Sequence, residues 1–501
     1  MTGFFPFQGA VTDTDILNEH VTAGTNKIIS NIKFLENEIS KFKSSEKRKW
    51  MLVGEAYYEG EQDILKRKRR IIGKGGQLEI AQNLPNNKIL DNQYAKLVDQ
   101  KVNYQLGKPI TLESENKPYL KALENIFNRR FHRTLKAVGQ DALNGGIGWL
   151  YPYYNEHGEF TIKRFPPHQI IPFWHDSEQT IVDFAIRIYT TTVYEGEKEV
   201  VKEKAEVYST QGVDYYEWFN GRLVPDVTTQ TQPYITISDG ENEHGVNWQR
   251  VPLIPFKFNS KEIPLIKRVK SLQDGINIML SDFENNMQED ARNTILVIHN
   301  YDGQDLGQFR HNLAQFGAVK VRSADGAKGG VDTLTITVNA DNYKSILSLF
   351  KKALTENGRG YDAKDERMSN NPNQMNIQSM YSDIELDANG IETEFQASFE
   401  ELLWFINQHL ANTDQGDFEG ETVDITFNRD ILINEKEVVE VLEKSPYMPL
   451  ESRLAQHPYV KDVQLELRRL KKERQEEMNM HDNYDETFKQ KRGGNNNGEI
   501  S

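Results

Sequence analysis

The chain contains no cysteine, so disulfide frameworks, cysteine zinc sites, iron–sulfur clusters and thiol nucleophiles are excluded together. No stretch approaches the ~18 uncharged apolar residues that a bilayer span requires. The opening MTGFFPFQGAVTDTDILNEH lacks both a basic region and an apolar core followed by small residues, so neither a signal peptide nor a membrane partner is expected, and the protein should stay in the cytoplasm of the cell that makes it. Positive charge is in deficit: 60 Lys and Arg stand against 75 Asp and Glu, a formal charge of −15. Such a surface repels a phosphate backbone unless cations are gathered locally, which argues against a dedicated DNA reader.

The recurrent motifs of catalysis are missing as well. Gly73-Lys74 is followed by Gly75 and Gly107-Lys108 by Pro109, so no phosphate-cradling Gly-Lys-Ser/Thr exists. Gly146-Ile147-Gly148 runs into Trp149, Leu150 and Tyr151, a turn entering a strand rather than a dinucleotide loop. His-Glu-x-x-His and Gly-x-Ser-x-Gly are absent, and the 11 histidines are dispersed, with His311 and His409 read as surface or interface residues. Carboxylates are abundant, but no spacing singles out an acid/base pair. The reading is of a non-enzyme with no cofactor and no metal.

What the chain does have is 501 residues, enough for about three domains, with 24 Phe, 21 Tyr and 6 Trp, too aromatic for disorder. Residues 26–43 place Ile28, Ile29, Ile32, Leu35 and Ile39 on one stripe of a polar helix. The basic run KRKRR at 66–70 reads as the solvated end of a helix, with a nucleic-acid patch as the alternative. From Gly146 to about Phe258, β-branched and aromatic runs between Gly, Pro and Asn turns predict antiparallel strands. At Pro264 the period becomes helical, with Leu265, Val269, Leu272, Ile276, Met279, Phe283 and Met287 in line.

Residues 292–338 then read as a compact α+β insert, with strands at 295–299 and 331–338 around a helical piece at 306–316. A helix is expected at 341–356, capped by Asp341, with Tyr343, Ile346, Leu347, Phe350 and Leu354 on one face and Gly358 and Gly360 ending it. An exposed loop, YDAKDERMSNNPN at 361–373, precedes the longest helical signal, 374–410, in which Ile377, Met380, Ile384, Ala388, Ile391, Phe395, Phe399, Leu402, Ile406 and Leu410 form one stripe and Gly390 is a kink point. A strand at 422–428, charged helices within 434–480 and a disordered tail complete the chain.

Seven segments in order, EAYYEGEQDILKRKRR (55–70), KLVDQKVNYQLGKPI (96–110), the 146–171 stretch containing EHGEFTIKRFPPHQII, WQRVPLIPFKFN (248–259), NYDG (300–303), GGVDTLTITV (329–338) and LLWFI (402–406), resemble the portal proteins of tailed bacteriophages of the long-tailed type. The N-terminal arm, the tail and the loop 361–373, which related portals often make richer in glycine, depart from the pattern.

The resemblance implies an α+β portal fold that forms a ring, usually of twelve subunits, at a capsid vertex. Within it lie a helical arm at 1–50, a β-rich wing at 51–258, a two-helix stem at 259–291 and 339–357, and a clip at 292–338. A tunnel loop follows at 358–373, then a long kinked helix and wing strand at 374–433, a helical crown at 434–481 and a tail at 482–501. Gln308, Arg310 and His311 would belong to the clip, and Lys351, Lys352, Lys364, Arg367 and Asn370 to a channel that passes double-stranded DNA without sequence preference. Partners would be the large terminase subunit, a head-completion adaptor, and the major capsid and scaffolding proteins. A carboxylate-dependent hydrolase and a cytoplasmic helical scaffold are the competing readings.

Overall fold

The computed structural model describes residues 31–72, 77–81, 84–196, 198–226, 231–239, 242–290, 294–299, 330–335, 340–362, 374–429, 435–445, 447–460, 463 and 466–475. They form a mixed α+β structure in two compact units. Unit 1 takes the chain up to Tyr361 and again from Asp383 to Asp430; unit 2 takes Asp362–Ser382 and everything from Ile431 onward.

Unit 1 opens with α1 (Ile32–Ser44), started by the Asn31 side chain accepting from the Phe34 amide at 3.3 Å. Ser45 then serves two helices: its amide donates to the Phe42 carbonyl at 3.0 Å while its hydroxyl accepts from the Arg48 amide at 3.1 Å, starting α2 (Glu46–Glu59). α2 therefore runs through residue 50, where the sequence reading ended the arm. The basic run is not a helix end: α2 stops at Gly60, residues 63–66 make a 3₁₀ turn, and Arg70 enters a short hairpin, β1 (Arg70–Ile72) with β2 (Leu78–Ile80). Two of its cations already have partners within the chain. Arg67 pairs with Asp282 at 3.0 Å, and Arg69 donates to the Pro85 carbonyl at 3.0 Å.

Next come α3 (Gln93–Leu106), β3 (Thr111–Glu113), α4 (Lys117–Ile126) and α5 (Arg129–Gly145), the helices capped by Asn92, Asn116 and Asn128. At Gly146 the chain turns with φ 85°, and a Cβ there would sit 2.1 Å from the Glu262 carbonyl oxygen, so only glycine makes this turn into β4. β4 (Ile147–Tyr154) and β5 (Phe160–Phe165) form one hairpin. β6 (Ile170–Trp174), β7 (Val182–Glu195), β8 (Lys198–Ser209), β9 (Gly212–Phe219) and β10 (Arg222–Pro225) make an antiparallel five-stranded sheet in sequential order. The hairpin β11 (Ile235–Asp239) and β12 (Asn242–Val246) follows, and β13 (Ile254–Lys257) pairs with β4 to complete a three-stranded sheet.

Alternation along β7 and β8 buries both faces of the larger sheet. Val182, Ala185 and Tyr208 face a core with Trp149 and Phe165 of the smaller sheet; Phe184, Ile186, Ile188, Ala205 and Val207 face the other way, onto Leu35 and Ile39 of α1. The amphipathic arm thus covers a sheet face, although Ile32 of its expected stripe is 39% exposed.

The remaining elements of unit 1 are three helices and three short strands. α6 (Ile266–Asp290) begins two residues after Pro264; β14 (Thr294–His299) and β15 (Gly330–Thr335) pair antiparallel; and α7 (Ala340–Asn357) leads back. Gln308, Arg310, His311 and the expected helical piece at 306–316 lie outside the described residues. Asp341 falls in the first turn of α7 rather than at its cap. α8 (Gln374–Asn412) starts in unit 2, crosses at Asp383 and ends in unit 1. All ten residues of its expected apolar stripe are buried. From Ile391 to Leu410 the stripe packs with Tyr119, Leu123, Phe131, Phe256 and Phe427 in the main core. β16 (Asp424–Thr426) closes unit 1 on β3. Unit 2 adds α9 (Glu435–Glu443), α10 (Leu450–Ala455) and helical residues 466–475.

Candidate functional site

The residues that lead up to Tyr361 and the elements packed on them hold a dense polar arrangement within unit 1. α6 and α7 pack antiparallel: Phe350 closes over Gly275, where a Cβ would meet its ring at 2.7 Å, and the rings of Phe283 and Tyr343 lie 5.0 Å apart. The apolar stripe expected along α6 holds only for its first three turns, through Leu265, Val269 and Ile276. Beyond that the buried face is polar. Gln273, Asn277, Ser281 and Asn285, each four residues after the last, are nearly or wholly inaccessible to solvent.

They bind an extended strip of backbone. Gln273 Oε1 accepts from the Tyr94 amide at 2.9 Å, Asn277 Oδ1 from Asp91 at 3.0 Å, Ser281 Oγ from Ile89 at 2.9 Å, and Asn285 Oδ1 from Asn87 at 2.7 Å. Asn277 also donates to Gln62 at 2.5 Å. A helix face with one hydrogen-bonding side chain per turn thus substitutes for a missing neighbouring strand, satisfying amides that would otherwise be buried without partners. The strip carries Asp91, which Lys351 of α7 reaches at 2.6 Å.

α7 ends in a corner rather than a simple glycine stop. Gly358 and Gly360 pack on Leu97 of α3, with Cβ positions 2.3 and 2.5 Å from its methyls, and Arg359 between them takes φ 51°. The amide of Gly360 donates to the Thr355 carbonyl at 2.8 Å, which fastens the turn. Gln100 of α3 then holds Tyr361 by both backbone groups: its Nε2 donates to the Tyr361 carbonyl at 2.7 Å and its Oε1 accepts from the Tyr361 amide at 3.0 Å.

Asp387 of α8 is the centre of the arrangement. It is 6% exposed and receives three cations from three other segments: Lys101 of α3 at 2.8 Å, Arg268 of α6 at 2.7 Å and Arg359 at 2.9 Å. Lys101 also donates to the Arg359 carbonyl at 2.8 Å. Burial pulls the Lys101 ammonium down to about 8 against the attraction of Asp387. Burial pushes the Asp387 carboxyl up, but Lys101 and Arg268 outweigh it and hold the group below the usual carboxylate range.

Two residues away along α8, about 200° around the helix at 100° per residue, the opposite face carries a second grip. Arg429 donates to Glu385, to Glu392 at 2.6 Å and to Asn389 at 2.6 Å, and the Tyr104 hydroxyl of α3 donates to Glu385. Within the span of the second grip, between Asn389 and Glu392, stands Gly390, exposed, inside an uninterrupted helix, with nothing within 4 Å of a Cβ built on it.

The residues singled out from sequence are distributed unevenly around this centre. Lys351 is engaged with Asp91, whereas Lys352 is 74% exposed and reaches only Glu356 of its own helix at 3.9 Å. Lys364, Arg367 and Asn370 lie outside the described residues. Ile346 of the expected α7 face is 44% exposed. His409 is half-buried, its ring stacked on Phe160 with centroids 4.5 Å apart and its Nδ1 2.8 Å from the Tyr154 hydroxyl, and burial lowers its pKa. Lys101, Arg268, Asp387, Arg429 and the four-residue polar ladder of α6 were missed. Among the described residues there is no group of acids and histidines that could hold a metal, and no helix is long and apolar enough to cross a membrane.

Known proteins resembling this chain define a phage structural class rather than an enzymatic one. Residues 40–480 match the family described as phage portal protein, SPP1 Gp6-like, and the chain belongs to that family. It is 29% identical to the portal protein of Bacillus phage SPP1 over 477 residues, 94% of this chain and 91% of that one. It is 25% identical over 437 residues to the portal protein of Clostridium phage phiCD119 (strain Clostridium difficile/United States/Govind/2006), covering 83% of this chain and 91% of that one. Neither the hydrolase nor the cytoplasmic scaffold draws support from these relatives.

Proposed function

We propose that the chain assembles into a ring of about twelve copies at one vertex of the phage head, that double-stranded DNA passes through the ring during packaging and ejection, and that the ring docks the large terminase subunit, a head-completion adaptor, and the capsid and scaffolding proteins. In this reading residues 51–258 are the wing, α6 and α7 the stem, 292–338 the clip, 358–373 the tunnel loop, and 434–481 the crown. The observation that carries it is the antiparallel pair α6 and α7, which returns the chain to a corner fastened at Arg359 and Tyr361, the point from which the loop 362–373 departs.

Two further features support the reading. Ile278 and Met287 of α6 and Ile346 and Leu349 of α7 are 42%, 49%, 44% and 62% exposed, apolar surface on the stem pair that neighbouring copies in a ring cover. Each copy also carries −15, so a channel of many copies holds phosphate weakly overall and DNA slides rather than stalls. Lys352, Lys364, Arg367 and Asn370 then supply local, sequence-independent contacts near the loop, whereas Lys351 has its charge engaged by Asp91.

Native mass spectrometry of the purified protein tests the ring: a species of about twelve subunits is expected, and a monomer or small oligomer overturns the reading. Phage whose only portal carries K364A and R367A should form rings at normal yield and package DNA slowly or with slippage. Rings that fail to form, with normal packaging in those that do, would make these residues structural. Replacing 292–338 by a short turn should leave the wing folded while head-to-tail joining is lost.

A further inference from the structure

The chain crosses between its two units three times, at 361/362, 382/383 and 430/431. On the unit 1 side of each crossing, within a few residues, stands a member of the ionic arrangement around Gly390. Arg359 and Tyr361 precede the first, Glu385 and Asp387 follow the second, and Arg429 precedes the third. One stretch of α8, 385–392, binds the other two exits through opposite faces: Asp387 takes Arg359, and Glu385, Asn389 and Glu392 take Arg429. α3 touches both grips, with Lys101 on Asp387 and the Tyr104 hydroxyl on Glu385.

We propose that Asp387 and Arg429 are positioning residues that bind the three exits into one mechanical junction, so that a displacement of the loop 362–373 is carried to α8 and to the chain's return at 430 together. The idea deepens the channel reading, on which it relies for what moves the loop; the coupling itself is a property of the single subunit. The charges suit the task. Lys101, Arg268 and Arg359 converge on one carboxylate, so among the described residues Asp387 is the anion that all three cations share, and its neutralisation frees three segments at once. At the other grip a single guanidinium serves two carboxylates and one amide, and only arginine offers enough donors in a fixed fork to do so. Gly390, three residues past Asp387 and between Asn389 and Glu392 of the second grip, with open space beside it, leaves the helix free to bend there when either grip shifts.

Hydrogen–deuterium exchange on the full-length protein tests the junction through residues that do not touch. Arg429→Gln should accelerate exchange of the amides at 358–361, which Arg429 does not contact, by about tenfold together with those at 385–392, while β7 to β9 keep wild-type rates. Asp387→Asn, which keeps the shape and removes the charge, should accelerate 425–429 in the same way. If Asp387→Asn does not fold, Arg359→Gln, on a half-exposed side chain, carries the same measurement. Arg429→Lys should restore the rates only in part.

If Arg429→Gln changes 385–392 alone, or raises exchange across the sheet as well, the junction does not exist and the grips are merely local or merely stabilising. DNA packaged per phage head gives the second arm. Coupled exchange with lowered packaging supports the junction and its use. Coupled exchange with normal packaging keeps the junction and overturns the channel-loop reading.

Discussion

α6 and α8 are both long helices, and both carry apolar residues at three- and four-residue steps, yet they are held by opposite chemistry. α8 buries aromatic and aliphatic side chains from Ile391 to Leu410, with Phe399 ringed by Phe127, Phe131, Phe256 and Phe427 at centroid distances of 5.6 to 6.1 Å. α6 leaves apolar burial after Ile276 and continues on amides and a hydroxyl. Apolar contact is strong and undemanding about register, since a side chain shifted by one position still finds grease. A ladder of hydrogen bonds is weaker per residue, but it admits one alignment only, because every misplacement leaves buried donors unpaired. The helix that holds its strip at a fixed height thus uses the chemistry that specifies position, and the helix that closes the core uses the chemistry that supplies stability.

Four substitutions sharpen or break that contrast. The largest effect is expected for Phe399→Ala, which empties a fully enclosed aromatic site and should cost about 3–5 kcal/mol in urea unfolding; a loss below ~1 kcal/mol would show that α8 is not the source of core stability. Asn277→Leu keeps the bulk but strands the Asp91 amide and Gln62, an expected cost of about 1–3 kcal/mol, with faster exchange of amides 87–94 out of proportion to the stability lost. A neutral result would mean that water replaces the ladder and that the strip is not fixed by it.

Gly390→Ala should stabilise the subunit by about 1 kcal/mol, since helical glycine carries that much extra chain entropy and the new methyl meets open space. If packaging falls while stability rises, bending at 390 is functional; if neither changes, the glycine is incidental. The smallest effect belongs to Lys101→Met, within about 1 kcal/mol at pH 7, because two arginines still neutralise Asp387. Its signature lies in pH. Lys101 titrates near 8 in the fold, facing Asp387, Arg268 and Arg359, against 10.5 for the ordinary side chain. Across that interval the unfolded chain holds more protons than the folded one, so wild type gains stability as pH rises from 8 to 10.5. The variant should lack that gain, which urea midpoints at successive pH values will show.

The two helices also differ in how legible they were. All ten positions of the α8 stripe were read correctly because apolar residues at helical spacing have one common cause, burial. The antiparallel strands between Gly146 and Phe258, the turn at Gly146 and the paired strands that open and close the 292–338 segment were legible for similar local reasons. The ladder of α6 was not, because Gln273, Asn277, Ser281 and Asn285 in a helix look like an ordinary wetted face; a strict four-residue repeat of hydrogen-bonding side chains starting beside the apolar stripe was the one available cue. The ionic junction left no cue at all. Lys101 and Asp387 are 286 positions apart, and the chain is so rich in charge that no local pattern distinguishes the pair that is buried.

The far separation of partners in the main core bears on synthesis. Tyr119 and Leu123 leave the ribosome long before Leu402, Phe405 and Leu410, against which the same core closes, and β3 must wait for β16. At bacterial elongation rates of about 5–20 residues per second, the interval is roughly 15–55 s. During it the early helices present an uncovered apolar face while the five- and three-stranded sheets, whose strands all lie before residue 258, can already form. A nascent subunit is therefore a folded sheet domain trailing sticky helices, at its most prone to aggregation shortly before α8 emerges.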